Sequence, residues 1–267
     1  MGIAFTKMSG AGNDFIVVDN RGGVIGQDRA GFARRHCARR TAVGADGVLL
    51  IESADGADFR MRLFNADGSE AEMCGNAARC AARLAFARGF AGESMRMETI
   101  AGVVEAHVDS ERVTVGMEDV SPVGEEVALE AEGRVWGVHP VEAGVPHAII
   151  FTEDLDNAPV EAVGRAMRMH EFFQPRGTNV DFVQPLAPGR IAIRTYERGV
   201  EAETLACGTG AIASAVVSHV RGRAGAPPIE VQVLGGLLTV DFRSTGDGIV
   251  SVRLSGEAAF VYEAELL

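Results

Sequence analysis

The sequence predicts an α+β fold of two pseudo-symmetric domains, each a curled, mostly antiparallel sheet around a central helix. The first observation is an internal repeat, because ERGVEAETLACGTGAIASAVVSHVRGR at residues 197–223 resembles NADGSEAEMCGNAARCAARLAFARG at residues 65–89. The second is that each copy carries one strongly helix-forming stretch among many short extended ones. A repeat period of half the chain indicates a duplicated domain, since solenoid units run to tens of residues.

A shift of 133 residues, from Cys74 to Cys207, aligns the two copies. The other identical pairs are Glu70 with Glu203, Gly75 with Gly208, Ala78 with Ala211, Ala82 with Ala215, Arg88 with Arg221 and Gly89 with Gly222. Each half of the chain therefore offers one cysteine at the same structural place.

The first half begins with a series of short strands and one helix. The predicted elements are two strands around a glycine turn in residues 1–20, a helix at 28–38, a turn and strand at 43–52, and an alternating strand at 59–64. The stretch AARCAARLAFAR then predicts a helix that follows Cys74 and ends at Gly89, a residue suited to a left-handed cap. Three further strands are predicted at 95–99, 102–108 and 112–117.

The sequence of the second half predicts the same series of strands and a helix. Its first elements are a turn and strand at 144–150, a turn and strand at 175–184 and a looser strand at 191–196. The helix AIASAVVSHVR follows Cys207, ends at Gly222 and is apolar nearly all round, so we expect it to be buried. Three strands follow at 229–234, 237–243 and 249–254. A sheet curled around such a helix accounts for the many short strands.

An acidic segment at residues 121–133, which contains Pro and Gly, marks the change of domain. The last dozen residues come after the second half has completed its strands, so we expect them to pair with the first domain. The predicted domains are residues 1–118 with 256–267, and residues 119–255.

The composition excludes several classes of protein. A net charge of −12 argues against binding nucleic acid or an anionic membrane through a large basic surface. No apolar run approaches membrane-spanning length, and no secretory signal is visible at the N-terminus. The four cysteines lack the regular spacing of a secreted disulfide scaffold, so we expect the reducing cytoplasm.

The two repeated cysteines predict acid–base chemistry. Each stands immediately before a helix, where the helix dipole and the unpaired amides favour anions, so we expect a lowered thiol pKa and a place for a carboxylate. If Cys74 and Cys207 face one cleft, a thiolate can remove a proton from one face of a carbon while a thiol delivers a proton to the other. Helix-end amides would hold the developing negative charge, so neither metal nor cofactor is required.

The other two cysteines are predicted to pack in the core and to have no chemical role. Cys80 falls on Ala213 and Cys37 on His170, so neither has a repeat partner, and buried cysteine is usually structural. A zinc site is poorly supported, because the sequence has no CxxC or paired Cys/His spacing.

Over essentially its whole length the chain resembles the diaminopimelate epimerases. The segments that carry the resemblance are GNDF at 12–15, FNADGSEAEMCGN at 64–76, YERG at 196–199 and ETLACGTG at 203–210. The resemblance implies that family's fold, a homodimer, and cofactor-independent interconversion of LL- and meso-diaminopimelate, a small-molecule substrate on the path to lysine and peptidoglycan precursors. It implies Cys74 and Cys207 as the two bases.

The resemblance also implies a set of substrate-binding residues. Those that would hold the reacting carboxylate are Gly75, Asn76, Gly208 and Thr209, and those that would bind the remaining amino and carboxylate groups are Asn13, Asn65, Asn179, Glu197 and Arg198. Two simpler interpretations stay open. Asn65 could serve only the turn NADG, and Glu197 with Arg198 could form an exposed ion pair.

One departure from the family concerns residue 145. Where the family often has Gly-Asn-Pro-His, this chain has GVPH at 144–147, so Val145 replaces an amide expected to contact substrate. A lost hydrogen bond to a charged group costs about 1.5–3 kcal/mol unless it is replaced. An epimerase or racemase of another amino acid therefore stays open. A second alternative, from a different class, is a dithiol redox protein, because two facing cysteines, Cys74 and Cys207, could form a reversible disulfide.

Overall fold

The structure is a computed structural model that describes residues 2–246 and 248–266. Its helices are α1 Arg29–His36, α2 Gly75–Ala87, α3 Val160–Met169 and α4 Gly208–Val220. Its strands are β1 Ile3–Gly10, β2 Asn13–Asp19, β3 Gly47–Glu52, β4 Phe59–Asn65, β5 Glu70–Ala71, β6 Ser94–Thr99, β7 Gly102–Asp109, β8 Arg112–Gly116, β9 Val127–Ala131, β10 Arg134–Ala143, β11 Val145–Phe151, β12 Asn179–Ala187, β13 Arg190–Glu197, β14 Ala202–Thr204, β15 Ile229–Val233, β16 Gly236–Thr245, β17 Gly248–Glu257 and β18 Ala259–Leu266.

The chain divides into two compact units. Unit 1 consists of Met1–Gly116 with Ser255–Leu267, and unit 2 of Met117–Leu254. Whether these units are independently folding domains with the limits predicted above stays a prediction.

The sheet of unit 1 runs in the order β18, β1, β2, β3, β4, β6, β7, β8. Two neighbouring pairs, β2 with β3 and β4 with β6, are parallel, and the other pairs are antiparallel. The strand nearest the C-terminus, β18, pairs with residues 3–9 of β1, as expected for the last dozen residues.

Unit 2 repeats this order with β9, β10, β11, β12, β13, β15, β16. Its parallel pairs, β11 with β12 and β13 with β15, stand at the same places as those of unit 1. The strand β9 takes the position beside β10 that β18 takes beside β1.

A buried helix occupies the centre of each unit. Helix α2 contacts β1, β2, β3, β4, β7 and β8, and helix α4 contacts β10, β11, β12, β13, β15 and β16. Residues 210–218 of α4 are all buried, which confirms the sequence-based expectation. Contact of one helix with six strands requires a curled sheet, so the predicted α+β fold is confirmed.

The opposite face of each sheet is covered by a second helix. In unit 1, Phe32 and Ala33 of α1 pack with Ile16, Val18 and Val48 of the sheet. In unit 2, α3 packs its buried side chains against β12 and β13 in the same way. Strands such as β2 and β11 are buried on both faces and therefore read as continuous apolar runs.

Five of these elements are absent from the sequence prediction: strands β5, β9, β10 and β14, and helix α3. Strands β9 and β10 form a hairpin whose turn residues, Glu132 and Gly133, have φ of 52° and 70°. Positive φ at both central positions is typical of type I′ turns, but the usual Asn-Gly or Asp-Gly signal is missing. Among residues 2–246 and 248–266, no helix is long and apolar enough to cross a membrane.

Candidate active site

Both repeated cysteines lie at helix N-termini. Cys74 is the N-cap of α2 and Cys207 the N-cap of α4, each with an extended backbone followed by 13 helical residues. The first-turn amides of a helix have no intrahelical acceptor and point towards the cap, so each cysteine has an anion-binding helix end beside it. The prediction that both cysteines lie at helix N-termini is therefore confirmed.

A matched ion pair fixes the segment that leads into each cysteine. Arg62 binds both carboxylate oxygens of Glu70, at 2.5 and 2.6 Å, which attaches β5 to β4. Arg194 binds Glu203 in the same way, at 2.6 and 2.8 Å, which attaches β14 to β13. Bidentate pairs of this kind are directional, so both loops are held four residues before their cysteine.

In unit 1, two asparagine side chains meet at the start of α2. Asn76, which is buried, donates from Nδ2 to Oδ1 of Asn13 at 2.5 Å, and its Oδ1 accepts from Nη2 of Arg79 at 2.8 Å. Asn13 in turn donates to Oδ2 of Asp46 at 3.0 Å. The structure thus brings the predicted residues Asn13, Asn76 and Cys74 to one end of one helix.

A cluster of charged side chains lies next to Asn13 and includes its hydrogen-bond partner, Asp46. Nζ of the buried Lys7 lies 2.7 Å from Oδ2 of Asp14, and Nη2 of Arg39 lies 2.6 Å from Asp14 and 2.8 Å from Asp46. Burial alone would raise the pKa of Asp14, but the hydrogen bonds from Arg39 and Lys7 hold that pKa below its usual value. These paired charges fix the turn that carries Asn13.

Asn65 is exposed and serves its own turn. Its Nδ2 donates to Oγ of Ser69 at 3.0 Å, while its backbone carbonyl accepts from Gly68 at 2.9 Å. This supports the simpler interpretation of Asn65, and its contact with substrate stays a prediction.

In unit 2, Cys207 belongs to a hydrogen-bonded chain of polar side chains. Its Sγ accepts from the amide of Gly210 at 3.3 Å and lies 3.4 Å from Oγ1 of Thr209. That hydroxyl lies 3.0 Å from Nε2 of His147. Nδ1 of His147 donates to Oδ2 of Asp181 at 2.6 Å.

The far end of this chain is completely buried. His147 and Asp181 are both inaccessible to solvent, and Oδ1 of Asp181 accepts from the hydroxyl of Thr195 at 2.7 Å. Nδ2 of Asn179 lies 3.4 Å from Nε2 of His147, and its Oδ1 accepts from the backbone amide of Arg198 at 2.8 Å. Buried polar groups of this kind are costly unless satisfied, so the network defines a single arrangement around Cys207.

The expected lowering of the thiol pKa is wrong for Cys207. Burial, with 6% of the residue exposed, raises its pKa well above the usual value, and the charges of Glu197 and Asp181 raise it further. The hydrogen bonds from the Thr209 hydroxyl and from the amide of Gly210 favour the thiolate, but their effect is smaller. The helix end is thus outweighed by desolvation and by two carboxylates.

Arg198, the predicted carboxylate-binding residue, donates from Nη1 to the carbonyl of Arg176 at 3.0 Å. Glu197 ends β13 and is half-buried, with its charge acting on Cys207. Both therefore lie in the part of unit 2 that surrounds Cys207, together with Asn179.

The two unrepeated cysteines lie in the core. Burial raises the pKa of Cys37 to about 11 and that of Cys80 to about 12. The four cysteines are all free thiols in the structure.

Sequence reasoning missed three polar residues of the two sites, His147, Asp181 and Arg79. The strand alternation that places Asp181 two residues after Asn179 was a usable signal, because alternate residues share a face of a strand. The sequence gives no comparable signal for Arg79, which lies in a helix full of arginine and alanine.

Comparison with known proteins identifies close relatives. The family model described as diaminopimelate epimerase matches residues 5–123 and 140–261. A diaminopimelate epimerase of Aquifex aeolicus is 45% identical over 275 residues, covering 98% of this chain and 97% of the relative. One of Archaeoglobus fulgidus is 42% identical over 280 residues, covering 100% and 97%.

Solved structures with the same fold are more distant in sequence. A Bacillus anthracis phenazine biosynthesis protein of the PhzF family has a TM-score of 0.80 at 16% identity, covering 100% of this chain and 99% of that one. A hydroxyproline epimerase from Agrobacterium vitis has a TM-score of 0.73 at 19% identity, covering 99% and 92%. At these identities the likeness shows the fold alone.

Proposed function

The chain is an isomerase that belongs to the diaminopimelate epimerase family, and on that premise we propose that Cys74 and Cys207 are the two acid–base residues that interconvert LL- and meso-diaminopimelate. The observation that carries this proposal is that each of two equivalent buried helices begins at a cysteine. Inversion of a carbon needs one proton taken from one face and another given to the opposite face, and two cysteines supply both.

The proposed step balances without a further reagent. The thiolate of one cysteine takes the α hydrogen as a proton, and the electron pair of the broken C–H bond moves into the adjacent carboxylate, which becomes enolate-like. The thiol of the other cysteine then gives its proton to the opposite face of the α carbon. At the end the two cysteines have exchanged their protonation states, so no metal or cofactor enters the step.

The reacting carboxylate is proposed to lie against the two helix ends. Amides of Gly75 and Asn76 in unit 1, and of Gly208 and Thr209 in unit 2, belong to first turns that lack intrahelical acceptors. Such donors stabilise the negative charge that develops on the carboxylate during proton removal. Removing one donor of this kind typically costs about 10²–10³ in kcat.

Further polar residues are proposed to bind the remaining groups of the substrate. Arg198 offers a guanidinium for the distant carboxylate, and Glu197 offers a carboxylate for an ammonium group. Asn13, Asn65 and Asn179 are proposed to bind the remaining amino and carboxylate groups. The proximity of Asn13 to Asn76, and of Asn179 to the Cys207 network, supports two of these assignments.

The experiment compares epimerisation of LL-diaminopimelate by the native protein with turnover of proline and of histidine. We expect turnover of diaminopimelate alone, and its loss in Cys74→Ala and in Cys207→Ala. Cys80→Ala is the matched control, because Cys80 lies on the same helix as Gly75 but in the core. Full activity in either of the first two variants would refute the assignment.

A second candidate substrate has one observation in its favour. Val145 lies half-buried at the start of β11, as Asn13 lies at the start of β2, where the two halves match at a shift of 132 residues. An apolar side chain therefore stands where the family often has an amide. If this residue changes the preferred amino acid, Val145→Asn should raise kcat/KM for diaminopimelate by tenfold or more. An unchanged kcat/KM would mean that the contact is supplied elsewhere.

We also propose that the protein is a cytoplasmic homodimer. The apolar residues Phe260, Val261 and Tyr262 of β18 are 39, 56 and 44% exposed, and adjacent exposed apolar side chains favour burial against a partner. Light scattering should give twice the chain mass for the native protein and the single mass for Val261→Glu. The four free cysteines are consistent with a reducing compartment, which cell fractionation would check.

A further inference from the structure

Arg79 is a buried cation without a carboxylate partner. It lies in the middle of α2, is 0% exposed, and forms no ion pair with any carboxylate among the described residues. Nη2 donates to Asn76, but within residues 2–246 and 248–266 Nε and Nη1 have no hydrogen-bond partner. Burying an uncompensated charge costs several kcal/mol, so a residue of this kind requires a compensating role.

The side chain of Arg79 points towards the end of the helix that Cys74 caps. Side chains of a helix lean towards its N-terminus, and the 2.8 Å hydrogen bond to Asn76, in the first turn, fixes this direction. The negative charges that act on the guanidinium are those of Cys80 and Cys74. Cys80 is itself fully buried, with its pKa raised to about 12, so Cys74 is the sulphur able to carry the charge.

The other charged groups around α2 do not reverse this effect. Arg112 of β8 acts on Arg79, and Arg83 of α2 acts on Cys80, and both are cations. Most other charges on the strands packed against α2 are paired with an opposite charge: Lys7 with Asp14, Asp19 with Arg21, Glu52 with Arg29, Arg60 with Glu98, and Arg62 with Glu70. The titratable residues Glu105, His107 and Asp109 of β7 are exposed. Among the described residues, no carboxylate acts on the guanidinium of Arg79.

In unit 2, the charges that act on the repeated cysteine are negative. The 133-residue shift places Ile212 at the position of Arg79, so α4 has no cation there. The charges of Glu197 and Asp181 act on Cys207 instead. The two cysteines are thus equivalent in backbone position but opposite in electrostatic surroundings.

Burial and hydrogen bonding have opposite effects on Cys207. The residue is 6% exposed, and its Sγ lies 3.3 Å from the amide of Gly210 and 3.4 Å from Oγ1 of Thr209. Burial and the charges of Glu197 and Asp181 outweigh these two contacts, so the pKa of Cys207 is raised well above its usual value.

We propose that Arg79 is a positioning residue that keeps Cys74 as the thiolate of the resting enzyme, while Cys207 rests as the thiol. This assignment rests on the proposed two-base function. It means that the resting enzyme is ready for the stereoisomer whose α hydrogen faces Cys74, and that the opposite direction starts from the exchanged protonation state.

The experiment measures the rate of alkylation by iodoacetamide at each cysteine between pH 5 and 10, without substrate, by peptide mass spectrometry. The midpoint of each pH profile reports ionisation, whereas the plateau rate reports access, so the buried position of Cys207 does not disturb the comparison. We expect the midpoint of Cys74 to lie below the ordinary value of about 8.5 and that of Cys207 above it.

Two variants test the role of Arg79. Arg79→Met should raise the midpoint of Cys74 by about one pH unit, which is a tenfold loss of thiolate at neutral pH. Arg79→Lys, which keeps the charge, should restore most of the shift. Arg83→Met removes another arginine of the same helix and should leave the Cys74 midpoint unchanged.

A wild-type Cys207 midpoint at or below that of Cys74 would overturn the proposal, as would a folded Arg79→Met protein with an unchanged Cys74 midpoint. If Arg79→Met does not fold, the wild-type order and the Arg79→Lys profile decide in the same way. Because alkylation is measured without turnover, the result is independent of epimerase activity. Loss of the proposed function would instead appear as an active Cys74→Ala protein.

Discussion

At the scale of single residues, Cys74 and Cys207 occupy the same backbone position but have different neighbours. Cys74 caps a helix whose buried cation points back towards it, and Cys207 lies beside a threonine, a histidine and two carboxylates. Duplication has kept the thiols and the glycines after them, while the side chains around them have diverged. A reaction that needs an acid and a base benefits from this difference.

The first prediction concerns the thiols themselves. Cys74→Ser and Cys207→Ser should each lower kcat by about 10²–10⁴-fold, because a hydroxyl is a far weaker base than a thiolate at neutral pH. Steady-state epimerisation of LL-diaminopimelate measures the effect. Cys37→Ser, a change in the core, should leave kcat within a few-fold, and an equal loss there would point to unfolding rather than chemistry.

The second prediction concerns the buried pair of His147 and Asp181. Asp181→Ala removes the acceptor of both His147 and Thr195, and each unsatisfied buried donor costs about 1–3 kcal/mol. We expect the free energy of unfolding in urea to fall by that amount or more. Glu230→Ala, which removes an exposed carboxylate of β15, should change it by less than about 0.5 kcal/mol. Equal effects of the two substitutions would contradict the role given to the network.

At the scale of elements, the equivalent helices α2 and α4 end in the same way. Gly89 and Gly222 have φ of 70° and 68°, and each follows a helix whose last carbonyls accept from the residues beyond it. A Cβ built on either glycine meets no atom within 4 Å, so only backbone strain opposes a side chain.

The third prediction follows from these caps. Gly89→Ala and Gly222→Ala should each destabilise the protein by about 1–2 kcal/mol, the cost of a left-handed conformation in a residue with a Cβ. Urea denaturation measures both. Gly22→Ala is the control, because that loop glycine lacks a positive φ and has open space around it. A cost for Gly22→Ala as large as for the caps would rule out the conformational explanation.

Much of the fold could be predicted at this scale because the repeat constrains it twice. A helix seen after Cys74 supports one after Cys207, and the strands of one half support those of the other. Helix α3 could have been found by the same logic, since Val160, Val163, Gly164 and Met167 are buried at helical spacing. The β9–β10 hairpin could not, because its turn lacks the usual residues and its first strand lies in an acidic segment.

The candidate site was less predictable than the fold. Cys74, Cys207 and the residues next to them could be identified because they recur in the sequence. Arg79 could not, because an arginine in a helix is usually exposed, and only the packed structure shows that this one is buried. The raised pKa of Cys207 likewise depends on burial and on Glu197 and Asp181, which lie on β13 and β12 and not on the helix that Cys207 caps.

At the scale of the whole molecule, buried thiols make stability depend on pH. The pKa of Cys37 is raised to about 11 and that of Cys80 to about 12, and the pKa of Cys207 is also raised. Above the ordinary thiol pKa of about 8.5, the unfolded chain loses these protons while the folded chain retains them. The contribution of these thiols to stability is therefore fully present below about pH 8.5, and it is lost as the pH rises through their pKa values in the folded protein.

The fourth prediction follows from this loss of stability as the pH rises. Each buried thiol should lower the free energy of unfolding by about 1.4 kcal/mol for every pH unit above 8.5. Urea titrations at pH 7.5, 9.0 and 10.0 measure the slope. Cys80→Ala should reduce the slope by one such contribution, because Cys80 is completely buried. An unchanged slope in this variant would show that Cys80 does not titrate differently in the two states.

The two-base mechanism is tested most directly by the fate of solvent deuterium. Unlabelled LL-diaminopimelate is incubated with the native enzyme in heavy water, and the early product and the remaining substrate are analysed separately. The two-base mechanism predicts one α-deuterium in each molecule of meso product and none in recovered LL substrate. The first cysteine keeps the proton that it removes, while the second cysteine donates a deuteron that it has gained from the solvent. Equal labelling of substrate and product would mean that a single group serves both faces of the α carbon, which would contradict the two-base mechanism.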